Sequence, residues 1–124
     1  MKTYIFHIWK ALNYSLDGLI STFRNEKAFQ IELILASILV PVSLILPFKG
    51  IEKMMLVCSV LMVMLAELLN TALESTIDRV STETHHLSKR AKDAGSAAVL
   101  VSFIILGATW FTICSDLILN RDLI

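Results

Sequence analysis

Polar and apolar residues fall into two regimes along this chain, one amphipathic and one nearly unbroken. In the first 24 residues, Ile5, Ile8, Trp9, Leu12, Leu16, Leu19, Ile20 and Phe23 recur at helical spacing. Lys10, Asn13, Asp17, Ser21 and Arg24 take the other side. The spacing predicts a helix over 4–24 lying in the plane of a membrane interface, with Trp9 and Tyr14 at headgroup level. Its plain role is a surface anchor; the sharper alternative is that its polar face covers a site. Asn25 is expected to cap the next helix, with Glu26 in the first turn.

Beyond it the apolar runs are long enough to cross a bilayer. The first predicted span is 28–48, with Gln30 and Glu32 in its entry turns and Pro41 as an expected kink. Pro47, Lys49 and Gly50 make a turn, and a second helix is predicted over 51–80, longer than a bilayer needs. Residues 81–91 read as a polar connection, STETHHLSKRA. The third span, 94–119, opens on Ala94, Gly95, Ser96, Ala97 and Ala98, small residues that let helices approach closely.

Composition agrees with this reading. Hydrophobic residues make up 56 % of the 124 and charged residues only 18 %, so the expectation is one all-α integral-membrane domain. Formal net charge is zero, which gives no bulk field for nucleic acid. Cys58 and Cys114 stand in apolar runs without a CxxC spacing and are expected to be buried free thiols. Lys10, Asn13 and Asp17 break any apolar core a cleaved leader would need. Lysines and arginines number four before or at the start of the first span and four between 79 and 92, against three elsewhere. With three spans the first two groups share a side, which the positive-inside rule makes cytoplasmic, along with the N-terminus; the C-terminus then lies opposite.

One polar feature sits where it should be costly. Glu67, Asn70, Glu74 and Asp78 follow one another at intervals of three, four and four, just after thirteen uncharged residues. On a helix they fall within an arc of roughly 80° and climb roughly 16 Å. A carboxylate at hydrocarbon depth costs at least ~2.5 kcal/mol, so it normally faces a protein interior or wet cavity and serves a function. Beside this stripe lies a basic loop. Carboxylates and lysines together at a cytoplasmic membrane face suit a phosphorylated ligand with Mg²⁺. There is no GxxxxGK[ST] and no kinase-type Gly-rich loop. Residue chemistry alone stops at an acidic membrane-embedded site of unassigned use.

Asn70, Thr71, Ala72, Leu73 and Glu74, then Asp78, His85, Leu87 and Ser88, then AKDAGSAAV from Ala91 to Val99 resemble the signature of the bacterial integral-membrane diacylglycerol kinases. The resemblance takes in the surface helix, the NEKAF entry to the first span, and two further spans. It implies a homotrimer in the bacterial inner membrane whose active sites are shared between subunits. It also implies transfer of the γ-phosphoryl group of MgATP to the hydroxyl of diacylglycerol, giving phosphatidic acid. A sister branch that phosphorylates undecaprenol tends to read AKDxAAGAV here, which favours diacylglycerol. The chain departs from the family pattern at His7, Asn13 and Thr84, where an arginine, a smaller residue and an aromatic residue are usual.

By matching position, the resemblance makes Glu67 the general base and Glu26 and Glu74 the magnesium carboxylates. Lys92 would hold phosphates, with Asp93 orienting it or the nucleotide, and Asn70 would fix the base or the phosphoryl group. Asp78, Glu83, Thr84 and His85 would reach the nucleoside end, with Tyr14 nearby. Glu32 and Ser96 would meet the lipid headgroup, and Trp110 could lie near the acyl chains.

Plainer readings stand beside these. Asp78 and Glu83 can be solvated helix-end charges, His85 and His86 surface histidines, and Lys89, Arg90 and Lys92 topology determinants. Gly95, Ala97 and Ala98 can be packing residues, and Trp110 a lipid-facing or interfacial aromatic. Two other function classes compete with a lipid kinase: a small proton-coupled carrier titrating at Glu67, and a non-enzymatic assembly subunit. The basic cluster over 83–93 argues for the kinase, since a carrier has little need of a phosphate-sized basic loop.

Overall fold

A computed structural model of the chain describes residues 2–80, 83 and 85–121. Four helices follow in order: α1 (Lys2–Asn25), α2 (Lys27–Ile45), α3 (Gly50–Val80) and α4 (His86–Arg121). No strand occurs among the described residues. Three segments are long and apolar enough to cross a membrane: Lys27–Ile45, Gly50–Val80 and His86–Leu119. α3 packs most extensively on α4 and next on α2, and α1 packs on α2.

The joint between α1 and α2 is a single residue. Glu26 is extended (φ −110°, ψ 111°), and on either side of it helical hydrogen bonding resumes. The Gln30 amide donates to the Phe23 carbonyl at 2.8 Å, satisfying an orphan acceptor at the end of α1 from the next helix. The expected Asn25 cap does not form. Asn25 is the last residue of α1 and its amide donates back to the Ser21 carbonyl at 2.8 Å, leaving Glu26 in the N-cap position.

At the other end the chain reverses through Pro47, Phe48 and Lys49. The Lys53 ammonium donates to the Leu44 carbonyl at 2.7 Å, and the Lys49 N–H donates to the Glu52 carboxylate at 2.7 Å. These two contacts close the C-terminus of α2 and the N-terminus of α3, groups that hydrocarbon could not satisfy. α2 continues unbroken through Pro41.

Two clusters form the core. Ala36, Val60, Val63 and Leu106 make one; Phe48, Leu56 and Ile113 make the other. Trp110 packs against both, and its indole nitrogen is buried. Trp110, expected to face lipid or the interface, is partly buried, packed on the side of α4 that meets both core clusters. Ser43, Ser59 and Ser102 are buried too, each donating to the carbonyl three residues earlier at 2.7 Å. Satisfied within their own helices, these short side chains let neighbouring helices close up. Elsewhere the spans expose rows of large apolar residues such as Ile31, Ile34 and Ile38, or Leu61, Leu65 and Leu69, as lipid-solvated helices do.

Two further expectations are corrected. Cys58 is a free thiol but exposed, because its side of α3 meets neither neighbour. The last helix starts at His86, eight residues before the predicted span. Hydropathy marks where hydrocarbon begins, not where the helix does. The polar turns are held by the Leu87 N–H donating to His85 Nδ1 at 3.2 Å and by a Lys89–Asp93 pair one turn apart.

Candidate active site

The packing of α2 against α3 sets an antiparallel register. Ala36 meets Val60 and Val63 in the core, and Ser43 and Leu56, both 0 % exposed, hold corresponding places nearer the turn. One helical turn back along α2 from Ala36 is Glu32; one turn on along α3 from Val63 is Glu67. Steps of four keep a residue on the same face, so the two carboxyl groups lie opposite each other. Both are buried, at 5 % and 6 % exposure. The same register runs from Phe29 on α2 toward the level of Asn70 on α3, and the chain leaves α2 at the extended Glu26. Consistent with it, Glu67 feels the charges of Glu74 and Glu26, and Glu32 that of Glu67. Glu67 is thus the carboxylate on which the charges of the neighbouring acidic residues converge.

Asn70 ties this seam to α4. Its amide donates to Glu74 Oε1 at 3.3 Å, while its Oδ1 is buried without a hydrogen-bond partner. The space beside that oxygen exists because residue 95 is glycine: a Cβ there would collide with Asn70 Oδ1 and press on Leu73. The packing role read for Gly95 is thus also a role in seating Asn70. From this point an apolar groove of ≈ 560 Å³ runs between α3 and α4, bounded by Ala66, Leu69, Asn70, Gly95, Ala98 and Ser102 among others.

At the mouth, charge pairs join the helices differently from the expected pattern. Lys92 on α4 donates to Asp78 on α3 at 2.6 Å, and Asp93 pairs with Lys89, also at 2.6 Å. Asp93 therefore does not orient Lys92; successive residues on a helix point about 100° apart, and Asp93 turns toward Lys89 one turn away. Lys92 also feels the charge of Glu74. His85 serves as the cap of α4 and lies against His86, ring centroids 4.6 Å apart. Glu83 is exposed in the connection, and Thr84 lies outside the described residues.

Three candidate residues are not brought to the carboxylates. Tyr14 is exposed on α1, with the Lys10 ammonium 5.7 Å from its ring centroid. Ser96 is exposed on α4. Trp110 lies 14 residues farther along α4, about 21 Å at the helical rise.

A sequence profile of the prokaryotic diacylglycerol kinases matches residues 13–114, a span that holds every candidate residue named above. A Haemophilus influenzae diacylglycerol kinase is 48 % identical over 104 residues, covering 84 % of this chain and 88 % of that protein. One from Pseudomonas aeruginosa is 42 % identical over 112 residues, covering 90 % and 91 %. A third, from Escherichia coli, is 43 % identical over 103 residues, covering 83 % and 84 %. The chain belongs to the prokaryotic diacylglycerol kinase family.

For a member of the diacylglycerol kinase family, the donor set here suits magnesium. That ion is usually held by one or two carboxylates together with substrate phosphates, not by a cage of protein ligands. Glu26 and Glu74 are the two carboxylates whose charges bear on Glu67. Glu26 makes no capping hydrogen bond, although it stands at the N-cap of α2. Among the described residues no group of three or more His, Cys, Asp or Glu side chains forms a ready metal cage. Reading the sequence missed the Gln30 clamp and the Asp78–Lys92 link. Gln30 lay seven residues from its partner and Asp78 fourteen from Lys92, beyond any local pattern.

Proposed function

We propose that this chain is an ATP-dependent diacylglycerol kinase that moves the γ-phosphoryl group of ATP onto the lipid hydroxyl, giving phosphatidic acid. Family membership supports the reaction; the seam of Glu67, Asn70 and Glu74 under Lys92 supports the site. Glu67 sits deepest, where a lipid hydroxyl would arrive from the membrane side, and takes its proton as the oxygen attacks phosphorus. Glu26 and Glu74 would hold magnesium, which when bound neutralises phosphate charge. Lys92 exchanges Asp78 for a phosphate oxygen, and Asn70 fixes Glu74. Phosphoryl transfer depends mainly on such positioning and charge neutralisation.

Glu32 and Ser96 are the residues we assign to the lipid headgroup, and the apolar groove beside Asn70 suits an acyl chain. Tyr14, Glu83, Thr84 and His85 take the nucleoside end. Because Tyr14 and Ser96 stand apart from the carboxylates within one protomer, the reading includes a homotrimer in which neighbours complete each other's sites. It also places the mouth and the N-terminus on the cytoplasmic side, where ATP is, following the distribution of lysine and arginine. The test is direct. Purified protein in mixed micelles with Mg²⁺ and γ-labelled ATP should label dioleoylglycerol well above undecaprenol; no labelled lipid from either acceptor would overturn the kinase reading.

A further inference from the structure

α1 and α2 meet at one residue. Glu26 alone separates them, with an extended backbone and no hydrogen bond from its own side chain to cap the helix it starts. Helical hydrogen bonds run right up to it. The Glu26 N–H donates to the Thr22 carbonyl at 2.8 Å, and the Gln30 N–H donates to the Glu26 carbonyl at 3.2 Å. With stiff helices on both sides, the two backbone dihedrals of Glu26 set the angle between α1 and α2. The same dihedrals set where the Glu26 carboxylate points. Thr22 and Phe29 are buried on either side of the joint. Among the described residues one side-chain hydrogen bond crosses it, from the Gln30 amide on α2 to the Phe23 carbonyl on α1 at 2.8 Å. That carbonyl lies in the last turn of α1, where no donor of its own helix reaches it. Water would satisfy it equally well; a side chain of the next helix satisfies it in one direction only.

The leverage at this point is large. Tyr14 stands twelve residues before Glu26 on α1, roughly 18 Å away at the helical rise, so a change of ~10° at the joint carries it by ~3 Å. A misplacement of about 1 Å is already costly in a reacting complex. We propose that Gln30 is a positioning residue. Its hydrogen bond across the joint locks the angle between α1 and α2, which aims the Glu26 carboxylate and holds Tyr14 at the nucleotide end of the site. This deepens the kinase reading, and it rests on Glu26 and Tyr14 serving the magnesium-bound nucleotide.

Gln30→Met keeps the length of the side chain and removes the donor; Gln30→Arg keeps a donor long enough to reach the Phe23 carbonyl. KM for MgATP should rise about 3- to 10-fold in Gln30→Met, with kcat at saturating MgATP within about twofold of wild type. Gln30→Arg should restore KM to within about twofold. Hydrogen–deuterium exchange followed by mass spectrometry reads the joint with no nucleotide and no turnover. Amides over 22–30 should exchange about tenfold faster in Gln30→Met, while those of α3 and α4 keep wild-type rates. A merely structural role predicts faster exchange in every helix and loss of kcat.

The proposal is overturned if exchange over 22–30 is unchanged in Gln30→Met or rises equally throughout the protein. It is overturned too if KM for MgATP stays at the wild-type value, or if Gln30→Arg is as impaired as Gln30→Met. A joint that loosens as expected in a protein that phosphorylates no lipid would retain the clamp and remove the kinase reading. A joint that stays tight beside normal wild-type turnover would do the reverse. Should Gln30→Met fail to fold, Gln30→Ala, which also lacks the donor and favours the helix, carries the same test.

Discussion

The ammonium of Lys92 on α4 donates to the carboxylate of Asp78 on α3 at 2.6 Å, closing the mouth of the seam that holds Glu67, Asn70 and Glu74. An exposed pair of this kind adds little to stability. On the proposed reading, Lys92 would leave Asp78 for a phosphate group entering between α3 and α4.

Lys92→Met should therefore weaken ATP binding strongly. Charge-assisted hydrogen bonds to phosphate are among the strong ones, and loss of one is expected to raise KM for ATP by about 10- to 100-fold. Asp78→Asn, which frees Lys92 without removing it, should have a much smaller effect on the same parameter. Measuring KM for ATP in both variants checks this; equal losses would mean that the pair is needed intact and that Lys92 does not exchange partners.

A second prediction concerns Gly95. A methyl group there meets Asn70 Oδ1, the far end of a side chain that can rotate, so the fold should accommodate Gly95→Ala. The rotation would break the Asn70–Glu74 hydrogen bond, so kcat should fall at least about tenfold while thermal stability in detergent changes little. In an Asn70→Ala background the same change should cost nothing more, because the group it displaces is already gone. Additive losses in the double variant would contradict the link.

Glu74→Ala and Glu26→Ala should each raise the Mg²⁺ concentration needed for half-maximal turnover and leave oligomer size unchanged. Titrating Mg²⁺ at saturating ATP reads this. Wild-type curves from both variants would remove these carboxylates from the metal site.

Much of this site was legible before the structure. The intervals from Glu67 to Asp78 on a helix entering apolar sequence located the seam, because helical periodicity and membrane depth are both local properties. Which side chains pair across helices was not legible. Asp93 was expected to orient Lys92 or the nucleotide and pairs with Lys89 one turn away on α4, while Asp78 takes Lys92, a choice that depends on how α3 and α4 are rotated against each other. The start of α4 was misplaced for a related reason: hydropathy sees the hydrocarbon boundary, and the turns from His86 to Asp93 are helical but polar. Trp110 was misjudged because aromatic residues are common at membrane surfaces, and only packing places this one between the two core clusters.

The central claim is that Glu67 is the general base. Glu67→Gln keeps size and hydrogen-bonding capacity but cannot accept a proton, and a positioned base contributes about 10²–10⁴-fold to rate, roughly 3–5 kcal/mol of barrier. The deciding measurement is kcat of Glu67→Gln, with ATP affinity and oligomer size determined on the same preparation. The account predicts a fall in kcat of that size with the other two unchanged. Turnover within a few-fold of wild type would contradict it.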